Sequence, residues 1–326
     1  MIIGIPHSLF YYYYFPFWSG FFQELGWSYV VSPPTDHTIL HKGLSLTVDE
    51  SCLPVKIHFG HLAYLAEKAD YVFSPGFGKW GRKGHFCPKL AGLPDMAIYK
   101  FTNVIEFWHD QDEKKGLTLT PWQKTIKTIS PGMPDKLIRN AWKKARQKQL
   151  AFYALWEKGY KPPEAIEYLV QQRPVFKLEK EYSLQIAVLG HPYLVYDEMA
   201  NQQILKTLAE SNIKIYTKET VPPSERDRRW PLQDKEVFWP IGQQILAAGY
   251  YYATKQKVDG IIFLSACLCG PDAVIGELLE RYLSVLKGAP PLLKITIDEH
   301  TGQAGLQTRV EALIDLLMRR KNYAAV

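Results

Sequence analysis

Short apolar runs alternate with longer amphipathic stretches along this chain, and they do so in two separate series. Strands that alternate with helices pair in parallel through right-handed crossovers, so the pattern predicts an α/β architecture. In the first series Ile2 to Ile5 reads as a strand stopped by Pro6, followed by strands at Tyr29 to Ser32, Tyr71 to Phe73 and Asn103 to Phe107. Helices are expected over Leu9 to Leu25, bent or restarted near Pro16, and over Pro54 to Ala69, where Pro54 suits a first turn. Gly76 to Asp95 is rich in Gly, Pro and Lys and reads as an ordered loop. The second series has strands at Leu184 to Leu189, Ile213 to Thr217, Val258 to Ser265 and Leu292 to Ile297. Its helices are expected over Glu198 to Glu210, Val237 to Lys257, Pro271 to Lys287 and Gln303 to Asn322.

Between the two series, residues from about 134 to 180 read as a charged helical stretch with Trp142, Leu150, Ala154 and Leu155 on one side. The expected fold is therefore two Rossmann-like, doubly wound α/β lobes with parallel sheets, over 1–133 and 183–326. A bridging helical segment, 134–182, joins them, and a cleft lies between them. No sequence repeat supports a duplication. In such lobes ligands sit beyond the carboxyl ends of the strands. Pro6-His7-Ser8, Gly190-His191-Pro192-Tyr193, Cys267 to Asp272 and Asp298 to Gly302 occupy such places.

Composition narrows the function classes. With 39 Lys and Arg against 33 Asp and Glu, the net charge of +6 is spread along the chain, without the dense basic stripe of a nucleic-acid binder. The first 23 residues carry no formal charge, but Pro16, Ser19 and Gly20 interrupt them and no basic region precedes Leu9. A buried strand and helix in a soluble, cytoplasmic protein is expected there, not a signal peptide or a membrane span.

Four cysteines in 326 residues cannot form the disulfide scaffold of a small secreted domain. Cys52, Cys87 and the pair Cys267 and Cys269 each lie in a loop or where a loop enters a helix, and thiolates gain there from helix N-termini. Their separations match neither zinc-ribbon nor ferredoxin patterns. From the residues alone the alternatives are a shared metal or cluster site, inert buried thiols, or a C-x-C redox couple of Cys267 and Cys269.

Six stretches, in order, carry a resemblance: YYYYFPFW, VDESCLPVKIHFGH, FCPKLAGLPD, GHPYLVYDE, CGPDAV and DEHTGQAGLQTRVEA. Together they resemble the 2-hydroxyacyl-CoA dehydratase / benzoyl-CoA reductase superfamily, and more closely its activase-related dehydratase-like proteins. The resemblance implies a [4Fe–4S] cluster between the lobes, bound through Cys52, Cys87 and Cys269, with Cys267 as a spare thiol or alternative ligand. It implies a low-potential electron from an ATP-dependent activase and reductive chemistry on an acyl-CoA under anaerobic conditions. The enzymatic members pair two related subunits, whereas this chain has one such unit. A homodimer or a sister subunit is the expected assembly. No Walker motif is present, so an activase domain is not expected here. A non-catalytic electron-transfer or partner subunit is the alternative function.

Other residues carry open readings. Glu50, His191 and His300 are candidate proton-transfer groups, set against a helix-start carboxylate and two hydrogen-bonded loop histidines. Asp272 reads as a helix cap. Lys56 and Lys89 would balance a negative cluster, approach CoA phosphates, or simply be solvated. Arg226, Arg228 and Arg229 form a basic loop.

Overall fold

The computed structural model describes residues 1–80, 84–109, 111–112, 116–174, 181–227 and 237–324. Arg228 and Arg229 lie outside them. The first half begins with β1 (Ile2–Ile5), α1 (Tyr11–Glu24), β2 (Ser28–Val31), α2 (His37–Leu46), α3 (Leu53–Ala66) and β3 (Tyr71–Gly76). The short strands β4 (Lys79–Trp80) and β5 (Gly84–His85), helices α4 (Pro88–Ala91) and α5 (Leu93–Lys100), and β6 (Val104–Trp108) follow. After β7 (Gln111–Asp112) and β8 (Gly116–Leu117) come α6 (Leu119–Ile129), α7 (Asp135–Glu157) and α8 (Pro162–Leu169). The second half holds β9 (Leu184–Leu189), α9 (Pro192–Val195), α10 (Ile204–Glu210), β10 (Ile213–Tyr216) and α11 (Pro223–Arg226). It ends with α12 (Pro240–Thr254), β11 (Gly260–Ala266), α13 (Gly270–Val285), β12 (Leu292–Ile297) and α14 (Gln303–Ala324).

Two four-stranded parallel sheets result, ordered β2-β1-β3-β6 and β10-β9-β11-β12, with a small third sheet β5-β4-β7-β8. Each large sheet places its own first strand between its second and third. Both therefore have a topological switch point beside the first strand, where α/β sheets hold ligands. The architecture is the expected mixed, doubly wound α/β fold. β11 is buried along its whole length, as a central strand covered on both faces must be.

The uncharged N-terminal stretch is explained by α1. Twelve of its residues, Tyr11 to Phe22, are buried, because α7, α8, β2 and α9 all pack on it. A helix apolar all round belongs in a core. It runs unbroken through Pro16. Proline deprives the Tyr12 carbonyl of its helical partner, and beside that gap Gln149 of α7 donates to the Tyr13 carbonyl at 2.7 Å. No helix among the described residues is long and apolar enough to cross a membrane.

Several expectations are corrected. Gly76 to Asp95 is not simply a loop, because Cys87-Pro88 and Gly92-Leu93-Pro94 start α4 and α5. α2 and α6 were not anticipated, being short and only partly apolar. The helix expected from Glu198 begins at Ile204, after turns through Gln202 and Gln203 at φ 51° and 62°. On α7 the buried side is Ile138, Trp142, Ala145, Gln149, Phe152 and Trp156, whereas Leu150 and Ala154 are exposed. Gln149 belongs to that buried side and meets α1 through the Tyr13 carbonyl.

Candidate functional site

Three cysteines start three helices. Cys52, Cys87 and Cys269 are the N-cap residues of α3, α4 and α13, each with proline at the first or second helical position. Proline there is pre-set for the helix and lacks an N–H that would go unpaired, so Cys-Leu-Pro, Cys-Pro and Cys-Gly-Pro are all natural helix starts. Cys87 follows β3 and Cys269 follows β11, which are the third strands of their respective sheets. Cys52 enters from α3, between the second and third strands of the first sheet.

None of the three thiols makes a capping hydrogen bond of full geometry. Each nevertheless lies close enough to amides of its own first turn for the thiolate to be favoured: Val55 for Cys52, Leu90 and Lys89 for Cys87, Asp272 for Cys269. Burial is the larger effect and pushes all three upward. Cys87 and Asp272 raise Cys52 further, and Asp272 and Cys52 raise Cys269, so the three thiols stand within electrostatic reach of one another. They stay protonated unless a cation joins them. Tyr193 is pushed up by burial first and then by Cys269, Asp272, Cys87 and Cys52, which places its hydroxyl in the same group.

Cys87, Cys269, His191, Tyr193 and Trp239 line one cavity of about 20 Å³. That is room for about one water. His191, the N-cap of α9 at the switch point of the second sheet, brings Nδ1 to 2.9 Å from Oδ1 of Asp272, out of line for a hydrogen bond but at ion-pair distance. The other Asp272 oxygen accepts from the Ala266 amide at 3.1 Å. Asp272 thus ties the end of β11 and faces His191, more than the helix cap expected of it. Among the described residues no three His, Cys, Asp or Glu side chains surround a point as the ligands of one metal ion.

Elsewhere the sequence candidates disperse. His300 has an 86% exposed side chain, 4.0 Å from Glu299. Glu50 is exposed, and its carbonyl accepts from Lys89 at 2.6 Å. Lys56 is not a surface lysine but 1% exposed, paired with Glu299. Arg226 lies 6.0 Å from the Trp156 ring centre. Cys267 is partly exposed, next to Leu268 in the left-handed region at φ 64°.

The structure adds a polar chain that sequence reading missed. The His7 amide donates to Ser32 Oγ at 2.8 Å, Ser32 Oγ meets His61 Nδ1 at 2.8 Å, and His61 Nε2 meets Thr35 Oγ1 at 3.0 Å. Thr35 then donates to Asp197 of the second half. With Thr35 donating, His61 must carry its proton on Nε2 and accept from Ser32. Partners 162 residues apart leave no local signal.

A signature of the family described as "CoA enzyme activase uncharacterised domain" matches residues 2–221. The chain belongs to that family. The matched span covers the first large sheet, α7 and α8, and the second half as far as Val221, so it includes Cys52, Cys87 and His191 but stops before Cys269. No curated protein matches the sequence. Among solved structures, the family member aligns over 99% of its length with 91% of a LacI family transcriptional regulator from Arthrobacter sp. FB24 in complex with lactose, at 12% identity and a TM-score of 0.23. It aligns over 97% of its length with 79% of the tagatose-6-phosphate ketose/aldose isomerase of Escherichia coli, at 11% identity and a TM-score of 0.22. Both fall below the level at which two chains share a fold.

Proposed function

We propose that this member of the activase-related CoA enzyme family is an iron–sulfur, dehydratase-like protein. Cys52, Cys87 and Cys269 would hold a [4Fe–4S] cluster that takes a low-potential electron from an ATP-dependent activase, for reductive chemistry on an acyl-CoA. The observation that carries the reading is the trio of helix N-cap cysteines, drawn from both halves and close enough to shift one another's ionisation.

The donor set fits such a group. Cluster irons take soft thiolates, each on a different iron, so the ligands need not surround one point as they would a single ion. Burial raises the three thiols, a bound cation would favour their thiolates, and amides of the first helical turn are placed to support them. When bound, the cluster supplies one-electron chemistry. The chain's own residues do the rest. Phe86, Leu90, Tyr193 and Trp239 exclude water from the space beside Cys87 and Cys269. His191, steadied by Asp272, is placed to carry a proton there.

The small volume beside Cys87 and Cys269, about 20 Å³, favours a second reading, a non-catalytic electron-transfer or partner subunit with no acyl-CoA of its own. Protein purified without oxygen should be brown and contain about four iron and four sulfide per chain. Cys52→Ala, Cys87→Ala and Cys269→Ala should each lose the iron, and Cys267→Ala should keep it. Colourless, iron-free protein after anaerobic reconstitution refutes both readings. Bound iron without affinity for any acyl-CoA selects the second.

A further inference from the structure

Lys56 sits four residues past Cys52 in α3 and is 1% exposed. A lysine buried this deeply needs partners. Two meet it: the Asp49 carbonyl accepts from Nζ at 2.9 Å and the Glu299 carboxylate at 2.5 Å. The first bond folds the turn that carries Cys52 back onto its own helix; within that turn the Ser51 amide donates to the Val48 carbonyl at 3.0 Å. The second bond crosses to the other half, because Glu299 stands in the loop after β12. The end of β12 is fastened in turn to the other cysteine segment, since the Cys267 amide donates to the Ile297 carbonyl at 2.8 Å. Hydrogen bonds and two residues of backbone therefore connect the Cys52 turn, through Lys56, Glu299 and Ile297, to the segment bearing Cys269.

We propose that the Lys56–Glu299 pair is a positioning clamp that sets the separation of Cys52 from Cys269 across the two halves. Its part in retaining a metal group rests on the cluster reading above, whereas its part in placing Cys52 does not. A pair that merely stabilised the fold would lower the melting temperature without moving either thiol. The Lys144–Glu24 pair at 2.7 Å, by contrast, joins α7 to α1 and touches no cysteine-bearing segment.

The test uses the full chain and Glu299→Gln, a conservative change at a side chain 16% exposed, with Lys56→Met as the second variant and Glu24→Gln as the control. Iodoacetamide labelling of metal-free protein is followed at Cys52 by peptide mass spectrometry. Both clamp variants should label Cys52 about tenfold faster than the wild type, which corresponds to a coupling of roughly 1.4 kcal/mol. Glu24→Gln should label at the wild-type rate. In iron-loaded protein, Glu299→Gln should give up iron to a chelator faster than the wild type. Unchanged Cys52 labelling in both clamp variants overturns the clamp, even if they melt earlier. Iron-free wild type with fast-labelling variants instead refutes the cluster and leaves the clamp standing.

Discussion

At the scale of single residues, burial decides which groups can carry charge. His109 is enclosed by the aromatic core, accepts from Trp18 Nε1 at 2.6 Å and faces the Phe107 carbonyl with Nδ1 at 3.0 Å. Its pKa is lowered to about 3 by burial, as is that of His58, and burial takes His7 to about 4. A histidine lowered in the folded state contributes stability that is complete above its unfolded value near 6.5 and is lost as pH falls towards the folded value. Each of the three should therefore cost roughly 2 kcal/mol between pH 7 and pH 5. Asp197 works the other way: burial raises it to about 6, so its contribution is full below the unfolded value and is lost as pH rises through 6. The histidines outnumber it. The melting temperature should fall steadily from pH 7 to pH 5, and the fall should be steeper in Asp197→Asn, which lacks the opposing group. A melting temperature that stays level over that range would refute the assignment of neutral buried histidines.

At the scale of elements, α2 and α3 touch backbone to backbone. A Cβ on Gly43 would stand 1.8 Å from the Lys56 carbonyl oxygen, and one on Gly60 would stand 1.9 Å from that of Ile39. Neither oxygen can swing aside, so the helices must separate to admit a methyl group. Gly43→Ala and Gly60→Ala should each destabilise by at least about 1–3 kcal/mol, measured by urea unfolding, and α3 should carry Cys52 away with it. A cost below that range would mean the crossing is looser than it looks. The same helices show what the sequence could and could not tell. Cys52 before Leu53-Pro54 and Cys269 before Gly270-Pro271 are legible as helix starts, because proline acts locally. Some strands were legible for the same reason, since β1 stops at Pro6, β2 just before Pro33 and β9 at Gly190, whereas β10, β11 and β12 were legible only as apolar runs. α2 was not, because its Gly43 looks like a breaker and is in truth a contact. The Lys56–Glu299 and Thr35–Asp197 pairs were not legible either, since nothing local distinguishes a lysine or aspartate that will be buried by a distant segment.

At the scale of the whole molecule, the halves are joined through charge as well as through aromatic packing. Glu219 accepts from Lys218 at 2.6 Å and from Tyr196 at 2.5 Å, and Tyr13 of α1 donates to it from the other half. The Lys218 ammonium lies 4.5 Å from the Tyr13 ring centre. Both charges are under 4% exposed. Glu219→Ala leaves Lys218 buried without its counter-charge and should cost about 3–5 kcal/mol, whereas Lys218→Met with Glu219→Leu should cost much less. Equal losses in the single and double variants, by denaturant titration, would show that the pair itself and not the orphaned lysine matters. The distribution of the three cap cysteines has a temporal consequence. A ribosome delivers Cys52 and Cys87 before Cys269, and at ordinary rates roughly ten to forty seconds pass before Cys269 emerges. Over that interval a nascent chain displays two thiols and lacks the third, so any three-thiolate site is completed only once Cys269 has emerged.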